Sequence, residues 1–188
     1  MARVLIVYGT TDGHTAKVAR RMGQMLTTAG VASTTVVHPT GSFPCPDDYD
    51  AVIVTASVHG GKFQRNVCRW VQAYADRLNA KPSAFVPVCL GVLQRDPTVQ
   101  HEVRRIVDRF LLGSDWRPSM RLTVAGALPY THYNWLKRWM MRRIVAKAGG
   151  DTDTSRDYEY TDWEALRTFC DQFVKSITVV DPPVAASA

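Results

Sequence analysis

Short apolar runs alternate along the chain with longer stretches whose apolar residues recur at helical spacing. The runs at 4–8 and 51–55 are almost continuously apolar, which is typical of parallel strands buried on both faces. The segments 16–29 and 63–79 instead place apolar residues three and four positions apart, as amphipathic helices do. The pattern therefore predicts strands that alternate with helices.

The same alternation continues through most of the chain. Further strands are predicted at 32–38, 83–90 and 122–126, and further helices at 99–112, 132–147 and about 160–177. Thr161 and Glu164 have the spacing of a capping box for the last helix. Because strand–helix alternation implies right-handed crossovers, the predicted fold is α/β. It is a flavodoxin-like, doubly wound, five-stranded parallel sheet with helices on both faces.

One domain accounts for all the predicted elements. It spans residues 1–178, and residues 179–188 are expected to form a disordered tail. No apolar run approaches the ~20 residues that a membrane-spanning helix needs, and no signal-peptide pattern surrounds the first strand. We therefore expect a cytoplasmic protein.

The spacing of cysteine and histidine excludes several kinds of site. The four cysteines include no C-x-x-C pair, so zinc knuckles and thioredoxin-type motifs are excluded. Free thiols are expected in a reducing compartment, and a redox-active Cys89 is the alternative. The histidines show no metal-ligand spacing, and we predict no metal site.

Positive charge is concentrated in the middle of the chain. Residues 81–150 carry 12 basic and 4 acidic side chains, whereas residues 151–188 carry 3 basic and 8 acidic ones. Such a patch favours an anionic partner, for example a carboxylate substrate, a phosphate or a membrane surface. A solvated basic face is the alternative. No known nucleic-acid-binding module fits the sequence, so we predict no nucleic-acid partner.

The first loop, after the strand at 4–8, offers hydroxyls and backbone N–H groups at the start of a helix, which suits a phosphate. It lacks the lysine of a Walker loop and the glycine pattern of a dinucleotide site. We therefore predict a phosphomonoester such as the tail of FMN, with an ordinary capping turn as the alternative. Asp12 is expected to turn away from the phosphate and cap the helix. The predicted phosphate-binding residues are Thr10, Thr11, Asp12, Gly13, His14 and Thr15.

The loops after the strands at 51–55 and 83–90 are predicted to hold a flat flavin ring. Glycines let the backbone approach such a ring closely, and nearby donors or cations stabilise the negative charge of a reduced flavin. Phe63 is expected beside the ring, with burial in the core as the alternative. The predicted ring-binding residues are Ser57, Val58, His59, Gly60, Gly61, Phe63, Leu90, Gly91, Val92 and Leu93.

Two basic segments are candidates for binding other partners. Because the planar guanidinium pairs well with carboxylates, Arg95, Arg104 and Arg105 are predicted to guide an acidic substrate, with plain surface solvation as the alternative. The helix at 132–147 interleaves aromatic residues with lysine and arginine, a composition typical of membrane-interface helices. Burial of this helix in the core is the alternative.

Six short stretches go beyond the general pattern of such a fold. They are TTDGHT at 10–15, PSAF at 82–85, SDWRP at 114–118, AGAL at 125–128, GGDTDT at 149–154 and YTDWE at 160–164. Together they resemble the flavodoxin-like, menaquinone-dependent protoporphyrinogen IX dehydrogenase family, and the resemblance covers about 4–173. The chain departs from that family at Gly60, where members have an aromatic residue, and in a less lysine-rich middle segment.

This resemblance implies FMN as the cofactor, a porphyrinogen as the reductant and a quinone as the electron acceptor. It also implies that residues 91–121 are an insert relative to simple flavodoxins. With the helix at 132–147, it allows peripheral contact with the inner face of the cell membrane. It marks no catalytic side chain, and the oligomeric state stays open.

Three other functions are alternatives on the same scaffold. The first is a quinone or deazaflavin-linked reductase. The second is a plain electron-carrier flavodoxin, against which the basic middle segment argues because such carriers are usually acidic. The third is a flavin-free regulatory domain, in which the loops would be caps and turns alone.

Overall fold

A five-stranded parallel sheet forms the centre of the structure. The computed structural model describes residues 2–38, 44–147 and 150–178. The strands of the sheet are β1 (Arg3–Gly9), β2 (Ser33–Val37), β3 (Ala51–Ser57), β4 (Ser83–Val88) and β5 (Met120–Arg121). Their order is β2-β1-β3-β4-β5, with parallel pairing throughout. This order confirms the predicted doubly wound sheet.

The central strands β1 and β3 contain the apolar runs Val4–Val7 and Ala51–Val54 because both of their faces are covered. Successive side chains of β1 point to opposite faces of the sheet. Val4 and Ile6 belong to the core on one face, Leu5 and Val7 to the core on the other, and all four are fully buried. Burial on both faces explains the uninterrupted apolar run in the sequence.

Helices pack against both faces of the sheet. They are α1 (His14–Thr28), α2 (Arg65–Asn79), α3 (Pro97–Ser114) and α5 (Trp163–Thr178), whereas α4 (Trp135–Lys147) lies away from the faces of the sheet. Met22 of α1 and Phe173 of α5 lie in one core, and Trp70 of α2 and Ile106 of α3 lie in the other. The predicted helices on both faces are therefore confirmed, with α1 and α5 opposite α2 and α3.

Helix α3 begins earlier than its apolar pattern predicts. The carboxylate of Asp96 accepts a hydrogen bond from the backbone N–H of Thr98 at 2.8 Å, and Pro97 occupies the first helical position. An acidic cap followed by proline is a strong helix start. The predicted start at residue 99 is therefore two residues late.

The capping box predicted for the last helix is wrong. Asp162 precedes α5, and its carboxylate accepts hydrogen bonds from the backbone N–H groups of Glu164 at 3.1 Å and Ala165 at 2.9 Å. Thr161 is buried and donates its hydroxyl proton to the carbonyl oxygen of Ala125 at 2.8 Å. A buried hydroxyl needs such a partner, so Thr161 serves tertiary packing and not the cap.

Strand β5 is short and begins before the predicted range of 122–126. After Arg121 the chain stays beside β4 through one isolated bridge between Val88 and Val124. The backbone N–H of Val124 also donates to the carbonyl oxygen of Pro87 at 2.9 Å. Residues 91–121 thus contain α3 and β5 and form the crossover from β4 to the edge of the sheet.

The region between β5 and α5 departs from simple strand–helix alternation. It contains α4 and two short antiparallel strands, β6 (Ala127–Leu128) and β7 (Tyr158–Glu159). A third buried cluster stabilises this region, and its buried residues include Leu128, Tyr130, Tyr133 and Val145. We call residues 126–160, of which 126–147 and 150–160 are described, the cover segment.

Two expectations concern membranes and the end of the chain. Within the three ranges that the structure describes, no helix is long and apolar enough to cross a bilayer. Residues 179–188, the expected tail, lie outside the described residues.

Candidate functional site

A cavity of about 570 Å³ lies beyond the carboxyl ends of β1, β3 and β4. The loops that follow these strands form one part of its wall, and the cover segment forms the rest. This volume is typical of small-molecule sites, which are mostly apolar with a few well-placed polar groups. The position also matches the edge at which doubly wound sheets bind ligands.

The first loop has the geometry of an anion site. The hydroxyl oxygen of Thr10 accepts a hydrogen bond from the backbone N–H of Gly13 at 2.9 Å. Gly13 has a φ of 87°, a left-handed conformation that glycine adopts at little cost. Helix α1 starts at His14, so the N–H groups of its first turn face the loop. Thr10 and Thr15 line the cavity, which gives a phosphate both hydroxyl and backbone donors.

His14 connects this loop to the far end of the chain. Its Nε2 lies 2.7 Å from the hydroxyl oxygen of Thr161, and its Nδ1 lies 4.0 Å from a carboxylate oxygen of Glu159. The same Glu159 carboxylate accepts hydrogen bonds from Lys17 at 2.5 Å and from Trp163 at 2.9 Å. Burial lowers the pKa of His14 although Glu159 opposes the shift. The imidazole is therefore neutral at pH 7.

Asp12 does not cap α1, contrary to the prediction. Gly13 occupies the N-cap position. The Asp12 carboxylate accepts a hydrogen bond of 3.4 Å from the hydroxyl of Tyr133, and both residues line the cavity. Burial, together with the charge of Asp12, raises the pKa of Tyr133, so this hydroxyl stays protonated and acts as a donor. Asp12 thus links the first loop to the cover segment.

The second loop turns tightly through two glycines. Gly60 and Gly61 have φ values of 56° and 73°, and the backbones of His59 and Lys62 exchange hydrogen bonds of 2.9 and 3.1 Å. A Cβ added at Gly60 would meet no atom within 4 Å, so the space beside this residue is open. The residues of this loop and the preceding strand end that line the cavity are Ser57, Val58, His59 and Gly60.

Phe63 lies in the core and not beside the cavity. It is 7% exposed, and its ring centroid lies 5.3 Å from that of Phe85 and 4.9 Å from that of Phe110. Tilted and edge-to-face aromatic pairs of this kind are favourable packing arrangements. The structure therefore corresponds to the alternative in which Phe63 packs in the core.

The third loop, after β4, contributes an apolar wall. Leu90, Gly91 and Leu93 line the cavity together with Cys89. The side-chain amide of Gln100 on α3 donates to the carbonyl oxygen of Val92 at 2.9 Å, which fixes the loop against the helix. Five predicted residues belong to the three loop regions without lining the cavity: Thr11, Gly13, Gly61, Phe63 and Val92.

The arginines predicted to guide an acidic substrate lie outside the cavity wall. Arg95, Arg104 and Arg105 are exposed, and Arg105 forms an ion pair of 3.0 Å with Glu102. Exposed helical pairs of this type contribute little to stability. The structure does not bring these side chains together with the three loops.

The cover segment supplies cavity residues that the sequence analysis missed. Arg138, near the start of α4, donates to the carbonyl oxygens of Tyr130 at 2.9 Å and Tyr133 at 3.1 Å, which fastens the helix over the site. The available signal was the aromatic and apolar pattern at 128–145, but it does not tell a cavity wall from a core. The missed lining residues are Gly126, Ala127, Leu128, Tyr133, Met141, Val145, Gly150, Asp151 and Tyr160.

These groups fit a flavin mononucleotide. Hydroxyls and N–H groups at the start of α1 match an anionic phosphate tail. An apolar cavity between the second loop, the third loop and α4 matches a flat aromatic ring.

Comparison with known families supports this site. A family model described as flavodoxin domain matches residues 5–155, a range that includes all three loops and most of the cover segment. The chain belongs to the flavodoxin domain family. This flavodoxin-domain protein therefore has FMN as its cofactor.

Two curated relatives match nearly the whole flavodoxin-domain protein. An Escherichia coli (strain K12) protein described as protoporphyrinogen IX dehydrogenase (quinone) is 34% identical over 168 residues, covering 89% of this chain and 92% of that protein. A Leishmania major protein with the same description is 32% identical over 181 residues, covering 96% of this chain and 78% of that protein. Because the second match covers 96% of this chain, it includes most of the cover segment.

Solved flavodoxin structures share the fold of this protein. A short-chain flavodoxin associated with a non-canonical PDU bacterial microcompartment has a TM-score of 0.58 at 16% identity, covering 94% of this chain and 99% of that one. Oxidised flavodoxin 2 from Bacillus cereus has a TM-score of 0.56 at 14% identity, covering 93% and 99%. These likenesses confirm the predicted flavodoxin-like fold.

Proposed function

We propose that this flavodoxin-domain protein is an FMN-dependent oxidoreductase that oxidises a porphyrinogen and reduces a quinone. The observation that carries the proposal is the match to two proteins of that description along nearly the whole chain. Three of the six stretches that carry the family resemblance, at 125–128, 149–154 and 160–164, lie in or beside the cover segment. The proposal is therefore supported by the cover segment as well as by the three loops that follow the strands.

The residues of the chain would hold the cofactor and exclude water. Bound FMN supplies the two-electron chemistry that side chains cannot provide. Thr10, Thr15 and the first N–H groups of α1 would bind its phosphate. Apolar side chains that line the cavity would keep water out, and they are Val58, Leu90, Leu93, Met141 and Val145.

Two pairs of a tyrosine and an aspartate line the cavity. Burial raises the pKa values of the Tyr133 and Tyr160 hydroxyls, so both stay protonated and donate. Tyr133 donates to Asp12, and Tyr160 donates to a carboxylate oxygen of Asp151 at 2.5 Å. Tyr133 and Tyr160 therefore serve as hydrogen-bond donors in the cavity, and the carboxylates of Asp12 and Asp151 accept from them.

The proposal includes a cytoplasmic protein in peripheral contact with the inner face of the membrane, where quinones dissolve. Trp135, Leu136 and Trp139 of α4 are 79%, 56% and 53% exposed. The guanidinium of Arg143 lies 4.4 Å from the ring centroid of Trp139. Exposed aromatic residues beside cations have the composition of an interfacial helix. The opposite face of α4 lines the cavity, so contact through this helix would place the site next to the lipid.

A quinone or deazaflavin-linked reductase is the second candidate. The open space at Gly60 favours it, because the resemblance places an aromatic residue there in porphyrinogen-oxidising members. A ring edge left uncovered at this point would be accessible to a different electron donor.

An anaerobic mixing experiment tests the proposal. The protein is loaded with FMN, its absorbance is recorded, and protoporphyrinogen IX is added without oxygen. The expected result is loss of the oxidised-flavin absorbance as porphyrin fluorescence appears, followed by recovery when a quinone is added. Loaded protein that keeps its absorbance with the porphyrinogen would contradict the first function and direct the search to other donors.

A further inference from the structure

The side chain of Gln64 bridges two of the flavin loops. Its Nε2 donates to the hydroxyl oxygen of Ser57 at 2.7 Å and to the hydroxyl oxygen of Thr11 at 3.1 Å. Ser57 ends β3 and lines the cavity, whereas Thr11 lies in the first loop. One amide group therefore joins the phosphate end of the site to the strand end beneath the ring.

A close approach between α2 and β1 makes this bridge possible. Gln64 is the residue before α2, and its backbone is extended. A Cβ at Gly9, the last residue of β1, would lie 2.6 Å from a methyl carbon of Val67 and 2.7 Å from Oε1 of Gln64. Only glycine leaves room for this contact. The missing side chain of Gly9 thus lets the start of α2 reach between the two loops.

The bridge sets the direction of both hydroxyl groups. A hydroxyl has one proton to donate and two lone pairs that accept. Because Gln64 donates to both oxygens, Ser57 and Thr11 keep their own protons for other acceptors. Within the described part of the chain, neither hydroxyl donates to a protein group. Ser57 lines the cavity, and the ring heteroatoms of a flavin are acceptors of the kind that its proton needs.

The amide makes this arrangement at a cost. Its Oε1 atom is buried and, among the described residues, has no hydrogen-bond partner. A buried acceptor without a partner is unfavourable by about 1–3 kcal/mol. The two N–H groups are therefore the part of the side chain that the site uses.

We propose that Gln64 is a positioning residue for FMN, which keeps the hydroxyl of Ser57 as a donor in the cavity and ties it to Thr11 of the phosphate-binding loop. It acts through these two residues. The inference rests on the FMN site assigned above and deepens it by adding a residue that lies outside the cavity wall. It does not depend on the identity of the electron donor.

Flavin titrations test this role. The full-length protein and its variants are titrated with FMN and with riboflavin, which lacks the phosphate, and binding is followed by quenching of flavin fluorescence. Gln64→Leu is expected to weaken FMN binding roughly tenfold and riboflavin binding by a smaller factor. Gln72→Leu is the matched control, because Gln72 lies on α2, is exposed and, among the described residues, forms one side-chain hydrogen bond, to the carbonyl oxygen of Gly113 at 3.2 Å. It should bind both flavins as the wild type does.

Two further variants separate positioning from general damage. Gln64→Glu replaces the donor with a carboxylate that accepts from both hydroxyls, and its charge repels the phosphate. It should therefore weaken FMN binding more than Gln64→Leu does, with no comparable extra loss for riboflavin. In a double-mutant cycle, adding Gln64→Leu to Ser57→Ala should cause little further loss of riboflavin affinity, since the acceptor is already gone.

Several results would overturn the proposal. Wild-type flavin affinities in Gln64→Leu, or fully additive effects of Gln64→Leu and Ser57→Ala, would show that the bridge does not act through Ser57. Thermal unfolding shows whether Gln64→Leu folds. If it does not fold, the riboflavin affinity of Ser57→Ala is measured in its place, and an unchanged affinity overturns the proposal. These titrations use no porphyrinogen, so their outcome does not depend on whether the protein oxidises a porphyrinogen. A wild-type protein that binds neither flavin would overturn both.

Discussion

The imidazole Nε2 of His14 lies 2.7 Å from the hydroxyl oxygen of Thr161, although the two residues are 147 positions apart. Thr161 donates its own proton to the carbonyl oxygen of Ala125 at 2.8 Å. It must therefore accept from the imidazole, which fixes the proton of the neutral His14 on Nε2. The His14 side chain is 11% exposed, so this hydrogen bond lies at a nearly buried boundary between the first loop and the end of the cover segment.

The stability of the FMN-free protein should fall as the pH drops below about 6.5, the ordinary pKa of histidine. Burial lowers the pKa of His14 in the folded state, so the unfolded chain binds the proton first as the pH falls. Between the two pKa values, unfolding takes up a proton and the free energy of unfolding decreases with falling pH. Urea unfolding of the wild type and of His14→Asn at pH 7.5 and pH 5.5 measures this effect.

The His14→Asn variant should show a weaker dependence on pH than the wild type. His101→Asn is the control, because His101 is exposed on α3, and its removal should leave the wild-type dependence in place. Equal pH dependence in the wild type and in His14→Asn would contradict the prediction.

An aromatic side chain at position 60 should cover the edge of the cavity. The space beside Gly60 is open, so the Cβ of Gly60→Tyr meets no atom within 4 Å. Its left-handed φ of 56° makes the variant less stable by about 1–2 kcal/mol. FMN release, followed by the recovery of flavin fluorescence on dilution, should become several-fold slower.

Gly30→Tyr controls for backbone strain in this comparison. Gly30 also has a positive φ and open space around it, but it follows α1 at the end away from the first loop. This variant should lose stability and release FMN at the wild-type rate. Equal release rates in Gly60→Tyr and the wild type would show that the open space lies away from the bound cofactor.

Removing the exposed tryptophans of α4 should abolish binding to lipid vesicles. Trp135 and Trp139 carry the largest exposed rings of the helix, and interfacial binding scales with apolar area and with attraction to anionic lipid. Co-sedimentation with anionic vesicles at low salt should carry down the wild type and leave Trp135→Ala/Trp139→Ala in solution. Leu112→Ala is the matched control, since Leu112 is 82% exposed on α3. A wild type that stays in solution would rule out the membrane contact.

Bound FMN should protect Cys89 from alkylation. Cys89 lines the cavity, and burial raises the pKa of its thiol, which makes it a slow nucleophile. Labelling with iodoacetamide, read out by peptide mass spectrometry, should be slower at Cys89 when FMN is present. Cys45, outside the cavity wall, should label at the same rate with and without FMN. Slower labelling of both cysteines would indicate that FMN stabilises the whole protein, and it would contradict specific shielding of Cys89 in the cavity.

The sheet was predictable because local pattern and burial agree in β1 and β3. Strands covered on both faces must be apolar throughout, and such runs are visible without any knowledge of tertiary contacts. The position of the first loop was predictable from the same pattern, but a hydroxyl-rich turn before a helix also suits an ordinary cap, so its phosphate-binding role stays a prediction. The start of α3 was predicted late because its cap and its proline precede the first apolar residue of the helix.

The rest of the site depends on contacts between distant residues. The spacing of Thr161 and Glu164 fits a capping box, but burial against Ala125 determines the role of Thr161 and leaves the cap to Asp162. The role of Gln64 could not be predicted from the sequence, because no local pattern distinguishes a glutamine before a helix. Its contact with the two loops depends on the space that Gly9 leaves in the folded structure. The helix at 132–147 has one face toward solvent and one toward the cavity, which its aromatic and basic composition alone does not reveal.

The wall of the cavity draws on residues from Thr10 to Tyr160. During synthesis on the ribosome, the strands and the three loops emerge well before the cover segment. A chain made only as far as the third loop therefore presents an open groove at the sheet edge. Enclosure of the cofactor requires synthesis through Tyr160, the last residue of the wall in the order of the chain.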